Sequence, residues 1–204
     1  VQADFDRQGC GFNRHASVFM LDRTIWETER LLLRLLDRAD IKSIQDAASN
    51  RAVADTTISI PYPYPTGEAE RYVFKKIADF EAGNSVSWAI EIEREKAFCG
   101  VIEIRDIDRE HLQGELSFWL AVEAWGKGYT SEALKPILRF GFEDLELNRL
   151  YAYHMVRNPA SGKVLQKNGL LQEGVLRQRI RKWGIFEDVK LWAILRSDWQ
   201  SKAE

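Results

Sequence analysis

The sequence predicts a mixed α/β domain. Three observations carry this: short apolar strand runs separated by helix-period segments, a balance of apolar and charged residues typical of a globular chain, and a glycine turn joining a buried strand to a helix. The 204 residues suit one domain with an extension, and a chain of that length hides roughly 70% of its unfolded surface. Apolar residues at 45% and charged residues at 29% exclude a disordered, collagen-like or coiled-coil chain. A net charge of −2, from 29 basic and 31 acidic side chains, sets up no field that would draw the chain to nucleic acid or an anionic membrane. Two cysteines, Cys10 and Cys99, give no disulfide framework and fit a cytoplasmic location. His15, His111 and His154 are scattered, so no zinc-type spacing exists and no metal is expected. No apolar run reaches the roughly 18 residues of a membrane span. The first twenty positions carry Asp4, Asp6, Arg7 and Arg14, which rules out a signal-peptide core there.

The elements follow in order. Residues 1–27 lack a pattern and read as an arm; residues 28–204 read as one domain. Glu29 to Leu36 is a leucine-rich strand. Asp37 to Asn50 is a helix with Ile41, Ile44 and Ala48 on one face, capped by Asp37 or Asp40. Thr56 to Pro65 holds three prolines in five residues and cannot be regular helix. A second helix opens at Thr66, has Tyr72, Val73, Ile77 and Phe80 on its apolar side, and ends at Gly83-Asn84. Ser87 to Glu93 and Ala97 to Ile107 are paired strands. Gly114 to Val122 is almost continuously apolar, as a central, covered strand would be. A helix runs from the glycine turn through Phe142 with Pro136 inside it, where a bend is expected. Arg149 to Val156 is a strand and Asn158 to Asn168 a short helix closed by Gly169. Leu171 to Ile180 and Phe186 to Leu195 form a closing hairpin.

The chemistry concentrates at Leu120 to Leu134, LAVEAWGKGYTSEAL. Free amides at a helix start carry partial positive charge, and glycines let a phosphate approach them closely. Gly126 to Thr130 is therefore a candidate diphosphate cradle, with the Thr130 hydroxyl as an added donor; a plain strand-to-helix turn has the same spacing. No G-x-x-x-x-G-K-[ST] is present, and the third glycine of a dinucleotide fingerprint would fall on Ser131.

From Glu29 to Trp199 the chain resembles the GCN5-related N-acetyltransferases (GNAT), in the branch of the ribosomal-protein N-acetyltransferases RimJ and RimL. The matching pieces are ERLLLR, GELSFWLAVEAWGKGYTSEAL, RLYAYHMVRNPASGKVLQKNGL and the closing EGVLRQ and DVKLWAILRSDW, in family order. The resemblance implies a GNAT fold: a mixed, mostly antiparallel sheet of about seven strands splayed at its centre, flanked by about four helices, with acetyl-CoA as donor. It places the family's Q/R-x-x-G-x-G/A motif on Glu123 to Gly128, with Glu123 as a departure. It implies that the amides of Gly126, Lys127, Gly128, Tyr129 and Thr130 hold the diphosphate. Leu120 and Val122 would meet the pantetheine amides, Asn158 would bond the cofactor arm, and Lys127 and Lys163 would meet phosphate charge. Glu115, where related enzymes often carry a glutamate, is the candidate base, with Glu103 second. An N–H near Trp119 or Leu120 is the candidate oxyanion donor. The usual tyrosine acid is replaced by Leu165, and Ser161 takes that part in this branch; a local helix-start hydroxyl is the alternative.

Cys99 reads as a buried, inert thiol and His154 as structural. Arg177, Arg179, Arg181 and Lys182 read as a solvated hairpin tip, with attraction of an acidic substrate or RNA as the alternative. Trp88 and Trp119 are candidate walls of an acceptor pocket. Tyr62 and Tyr64, on the proline loop, would join them, together with the Lys182 to Phe186 turn. The branch favours a protein or peptide N-terminal α-amine, such as that of a ribosomal protein. A polyamine, aminoglycoside or amino acid acceptor stays open, as does a module that senses CoA without turnover. Neither nucleic acid nor membrane is an expected partner, and the chain is expected to be a monomer or a homodimer.

Overall fold

The computed structural model describes residues 24–200, so most of the expected arm, Cys10 and His15 lie outside the described residues. The last residues of that arm, Trp26–Glu27, form a short strand β1 paired with Leu32 and Leu33. The other strands are β2 (Leu31–Leu35), β3 (Val86–Ile92), β4 (Ala97–Asp108), β5 (Gln113–Leu120), β6 (Arg149–Met155), β7 (Leu171–Lys182) and β8 (Ile185–Leu195). They form one sheet of eight strands, in the order β1-β2-β3-β4-β5-β6-β8-β7. Every neighbouring pair is antiparallel except β5 with β6, which is parallel.

Among the described residues six α-helices flank it: α1 (Ile41–Ala48), α2 (Arg51–Thr56), α3 (Glu68–Glu81), α4 (Tyr129–Arg139), α5 (Pro159–Lys167) and α6 (Arg196–Gln200). The strand and helix counts exceed the expected seven and four for local reasons. The Asp37 carboxylate accepts from Ala39 N–H at 2.6 Å and caps a 3-10 turn ahead of α1. Asn50 then accepts from Ala52 N–H at 2.9 Å and starts α2, a helix beyond the one expected to end at Asn50. Pro136 sits in α4, which ends at Arg139 and passes into a π-turn over Phe140–Asp144, closed by Leu145 N–H to the Phe140 carbonyl at 3.0 Å. Pro136 has no N–H to give the Glu132 carbonyl four residues earlier, and the π-turn follows one residue after the helix ends.

Strand alternation sends two sets of side chains to two cores. Leu31, Leu33, Ile102, Ile104 and Leu116 pack with Leu134, Ile137 and Phe140 under α4. On the other face Ala89 and Val101 pack with Ile44, Ala69 and Val73 under α1 and α3. Each large aliphatic chain fully buried in this way contributes about 1.5–3 kcal/mol. Trp88, expected on the acceptor wall, belongs to the first core. It is fully buried, stacks edge-on against Phe140 and donates its indole N–H to the Thr24 carbonyl at 2.8 Å. Its strand position sends it to the α4 face, away from the open end of the sheet.

Gly100 faces Leu120 across β4 and β5, and a Cβ there would meet the Trp119 carbonyl oxygen and lie 2.9 Å from Leu120 Cα. Gly100→Ala is expected to cost about 1–3 kcal/mol as the strands are forced apart. Urea unfolding reads this as a lower midpoint, and an unchanged midpoint would contradict the tight approach.

Candidate active site

The sheet opens at one place. β5 and β6 are in register only at Gln113↔Arg149, Gly114↔Leu150 and Glu115↔Tyr151, although β5 continues to Leu120 and β6 to Met155. Ala121 N–H bonds the Cys99 carbonyl at 2.8 Å. The antiparallel ladder alternates, so the main-chain groups of Phe118 and Leu120 point away from β4 and into the gap. A cavity of about 350 Å³ occupies the opening. Phe118, Trp119 and Leu120 wall it on one side, with the glycine turn and the start of α4. Residues of α5 wall the other, and Thr56 and Thr57 reach in from the end of α2. The two threonines carried no signal in the sequence, because only the fold brings the end of α2 to the gap.

The glycine turn has the geometry its residues permit. Gly126 and Gly128 adopt φ of +74° and +80°, the left-handed region that other residues avoid. No side chain among the described residues caps the first turn of α4, so its leading amides stay available beside the cavity. The brace behind the turn was missed by sequence reading. Arg30, from the ERLLLR strand, donates to the Lys127 carbonyl at 3.0 Å and to Glu132 Oε2 at 2.8 Å, and lies over the Tyr129 ring at 4.8 Å. Glu132 also accepts from Thr28 Oγ1 at 2.6 Å and from Arg30 N–H at 2.9 Å. Burial alone would raise the Glu132 carboxyl, but these donors outweigh it and hold it below its ordinary value. Opposite charges a hundred residues apart announce no pairing in one sequence.

Several expected cofactor contacts are altered. Leu120 lines the cavity, but its carbonyl is taken by the Trp125 indole N–H at 2.9 Å, leaving its N–H to face the gap. Val122 lies in a 3-10 turn with its carbonyl bonded by Trp125 N–H at 3.0 Å, outside the cavity wall. Lys127 also lies outside the wall, its ammonium 6.0 Å from the Tyr129 ring centroid. Lys163 lines the cavity, and so does Lys167, one turn on. Their i, i+4 spacing was readable in the sequence. Tyr129 and Thr130 are nine-tenths buried along the same wall.

Asn158 spends its amide on the protein itself. Nδ2 donates to the Thr56 carbonyl and to Ser161 Oγ, both at 3.0 Å, and Oδ1 accepts from Ser161 N–H at 3.4 Å as the cap of α5. Both amide protons are thereby used, and one carbonyl lone pair remains. Because Ser161 Oγ is already an acceptor, its own proton is free to point into the cavity that Ser161 lines. Leu165 is buried and faces the core.

Where the strands part, Glu115 stands beside Tyr151 on the face away from α4. It is 8% exposed and pairs with Arg105 at 2.5 Å. Burial lifts the Glu115 carboxyl above its ordinary value against the pull of Arg105. Glu103 is more committed: Lys76 lies at 2.7 Å, Ser87 Oγ donates at 3.1 Å, and Arg105 approaches at 3.8 Å. Trp119 packs against Phe98 and lines the cavity. Tyr64 is half-buried and its phenol is pushed up to about 12 by burial.

The proline loop and the hairpin tip, both expected beside the acceptor entrance, touch each other. Lys182 is buried and donates to the Ile60 carbonyl at 2.6 Å. Burial lowers its ammonium, and Arg157 lowers it further. Tyr62 meets Trp183 edge-on with ring centroids 6.5 Å apart. Trp183 and Gly184 both take positive φ, the two-residue turn that closes a hairpin. So Lys182, assigned to a solvated tip, is instead an internal strut. Cys99 is buried, with its thiol pushed up to about 12 by burial. His154 is buried with Nδ1 against the Met155 carbonyl at 2.9 Å, and burial lowers its ring below the ordinary value. Among the described residues no grouping of three or more His, Cys, Asp or Glu is placed to hold a metal, and no helix is long and apolar enough to cross a membrane.

Residues 30–171 match the family model described as an acetyltransferase (GNAT) domain. The chain is 27% identical to a spermidine N(1)-acetyltransferase of Vibrio cholerae, over 86% of this chain and 98% of that protein. It is 31% identical to a ribosomal-protein-serine acetyltransferase of Escherichia coli, over 50% of this chain and 57% of that one. Among solved structures, the Vibrio cholerae spermidine N-acetyltransferase in complex with CoA and spermine superposes with a TM-score of 0.75. That match has 26% identity and covers 85% of this chain and 99% of the other. A splayed sheet with an uncapped glycine turn at its mouth, together with a family match over most of the chain, places this protein among the GNAT N-acetyltransferases, enzymes that use acetyl-CoA as acyl donor.

Proposed function

We propose that the chain acetylates the α-amine of a protein or peptide N-terminus, with Glu115 as base and Ser161 as proton donor to the departing thiolate. The observation that carries the acceptor class is the neutralisation of the carboxylates around the opening. Glu115 faces Arg105, and Glu103 faces Lys76 and Arg105. A polyamine needs unpaired carboxylates along its length, whereas a single amine needs one. An α-amine, with a pKa of about 8, is also partly neutral at pH 7, when a lysine amine at about 10.4 is not. The polyamine reading is favoured by one observation, the relative that acts on spermidine.

The cavity residues fit acetyl-CoA. The amides of Gly126, Lys127, Gly128, Tyr129 and Thr130, with the Thr130 hydroxyl, are the proposed diphosphate holders, and Lys163 and Lys167 supply positive charge. The Leu120 N–H, unpaired toward the gap, is the proposed main-chain donor to the pantetheine arm or the developing oxyanion. Asn158 is assigned to orienting Ser161, with one lone pair left for the arm. Trp119, which lines the cavity, remains a proposed acceptor wall, as do Tyr62 and Tyr64, which lie outside the cavity lining. The thioester supplies an electrophilic acyl carbon. Glu115 Oε1 is held by Arg105, so Oε2 is the atom placed to accept the ammonium proton, directly or through water.

Incubation with acetyl-CoA, a free-N-terminus peptide library, polyamines and aminoglycosides, followed by mass spectrometry, tests the acceptor. Acetyl gain on peptides supports the reading, and gain on polyamines alone overturns it. Glu115→Gln is expected to lower turnover about 10²–10⁴-fold with CoA affinity by calorimetry unchanged. The base works above its pKa and fails as pH falls through it, so the acid limb should lie above the range of an ordinary glutamate. Arg105→Gln leaves burial unopposed and should move that limb to still higher pH in a kcat profile. Gly128→Ala puts a Cβ at a φ of +80°, which costs about 1–2 kcal/mol. Calorimetry should read this as roughly tenfold weaker CoA binding.

A further inference from the structure

We infer that the acceptor carries negative charge just behind its amine, and that Arg179 reads it; the inference rests on the peptide α-amine reading and narrows it. β7 and β8 fall out of step on this side of the sheet. The pairing passes from Leu176↔Val189 to Ile180↔Glu187, so β7 spends extra residues in a bulge. Gln178 sits in that bulge with φ of +51°, unusual for a residue with a side chain, and its N–H is held by Asp188 Oδ1 at 2.7 Å. Bulges re-aim side chains, and this one brings the Arg179 guanidinium over the Tyr153 ring at 5.9 Å. Tyr153 follows Tyr151 on the strand that leaves Glu115, and the two rings meet edge-on at 5.7 Å. Arg179 therefore overlooks the route from the base toward the proline loop.

The carboxylates beside that route already have partners: Glu115 pairs with Arg105, Glu173 with Arg149, Glu187 and Asp55 with Arg157, and Asp188 accepts from Gln178 N–H. Arg179 and Arg51 form no ion pair among the described residues, and both are exposed. Arg51 is held over Tyr62 and Trp183, at 5.7 and 5.8 Å, at the far end of the same route. Two guanidinia pinned on aromatic faces, with the nearby acids occupied, suit a short acidic peptide and repel a polycation.

The test uses three peptides with the same N-terminal residue and acidic, neutral or basic residues at positions 2–4. KM is measured for each, and so is direct binding of a C-terminally labelled peptide to the CoA complex by fluorescence anisotropy. The acidic peptide should bind roughly tenfold more tightly than the basic one, with the gap shrinking as salt rises. Arg179→Gln should raise KM and weaken binding for the acidic peptide about three- to fivefold, and leave the neutral one unmoved. Arg179→Lys should recover part of the loss. Equal KM and equal binding for all three peptides would overturn this inference and leave the α-amine reading standing. Acetylation of polyamines with no peptide modified would overturn both.

Discussion

The structure depends on one departure from regular pairing. After Glu115 and Tyr151, β5 and β6 stop exchanging hydrogen bonds although both continue. Peptide groups left buried without partners cost about 1–3 kcal/mol each, so a sheet does not part without reason. Here the parting is held open from both sides. The Leu116 side chain anchors β5 to the core under α4, and the β6–β8 ladder holds the other ribbon from Arg149 to Met155. The Leu120 carbonyl finds the Trp125 indole, and its N–H faces the cavity. A gap that exposes a strand edge inside the sheet is a place where an extended, amide-bearing arm can bind as another strand would.

The glycine turn is useful only because of that gap. An uncapped helix start is common, but this one sits at the end of the strand that frames the opening, so its amides and the strand edge face one cavity. The turn is fixed by Arg30 and Glu132, which tie the second strand of the sheet to the first turn of α4. Preorganisation of this kind removes the cost of ordering the loop when an anion arrives.

Opposite the turn, electrostatics set the character of the proposed acceptor side. Glu115 is buried enough to be lifted above its ordinary value and is not left alone, since Arg105 shares the site. Burial makes the carboxylate more basic, and pairing with Arg105 limits that lift. The struts between the proline loop and the hairpin, Lys182 to Ile60 and Tyr62 to Trp183, enclose this side without supplying further negative charge.

The sequence by itself determined the family, most element positions and the glycine turn, because each is written in local pattern: alternation, capping residues, and two glycines where positive φ is required. Family spacing also singled out Glu115 and Ser161 as candidates, and these stand as proposals. Only the tertiary structure decided the rest. Trp88 went to the core because strand parity turned it toward α4. Lys182 became an internal strut, Asn158 turned inward to Ser161, and Val122 lost its carbonyl to Trp125. Arg30, Glu132, Arg105, Thr56 and Arg179 gained their places from partners far away in the chain. A local pattern fixes backbone conformation within a few residues, whereas the partner of a charge or an amide depends on which distant segments the packed sheet brings within hydrogen-bond reach.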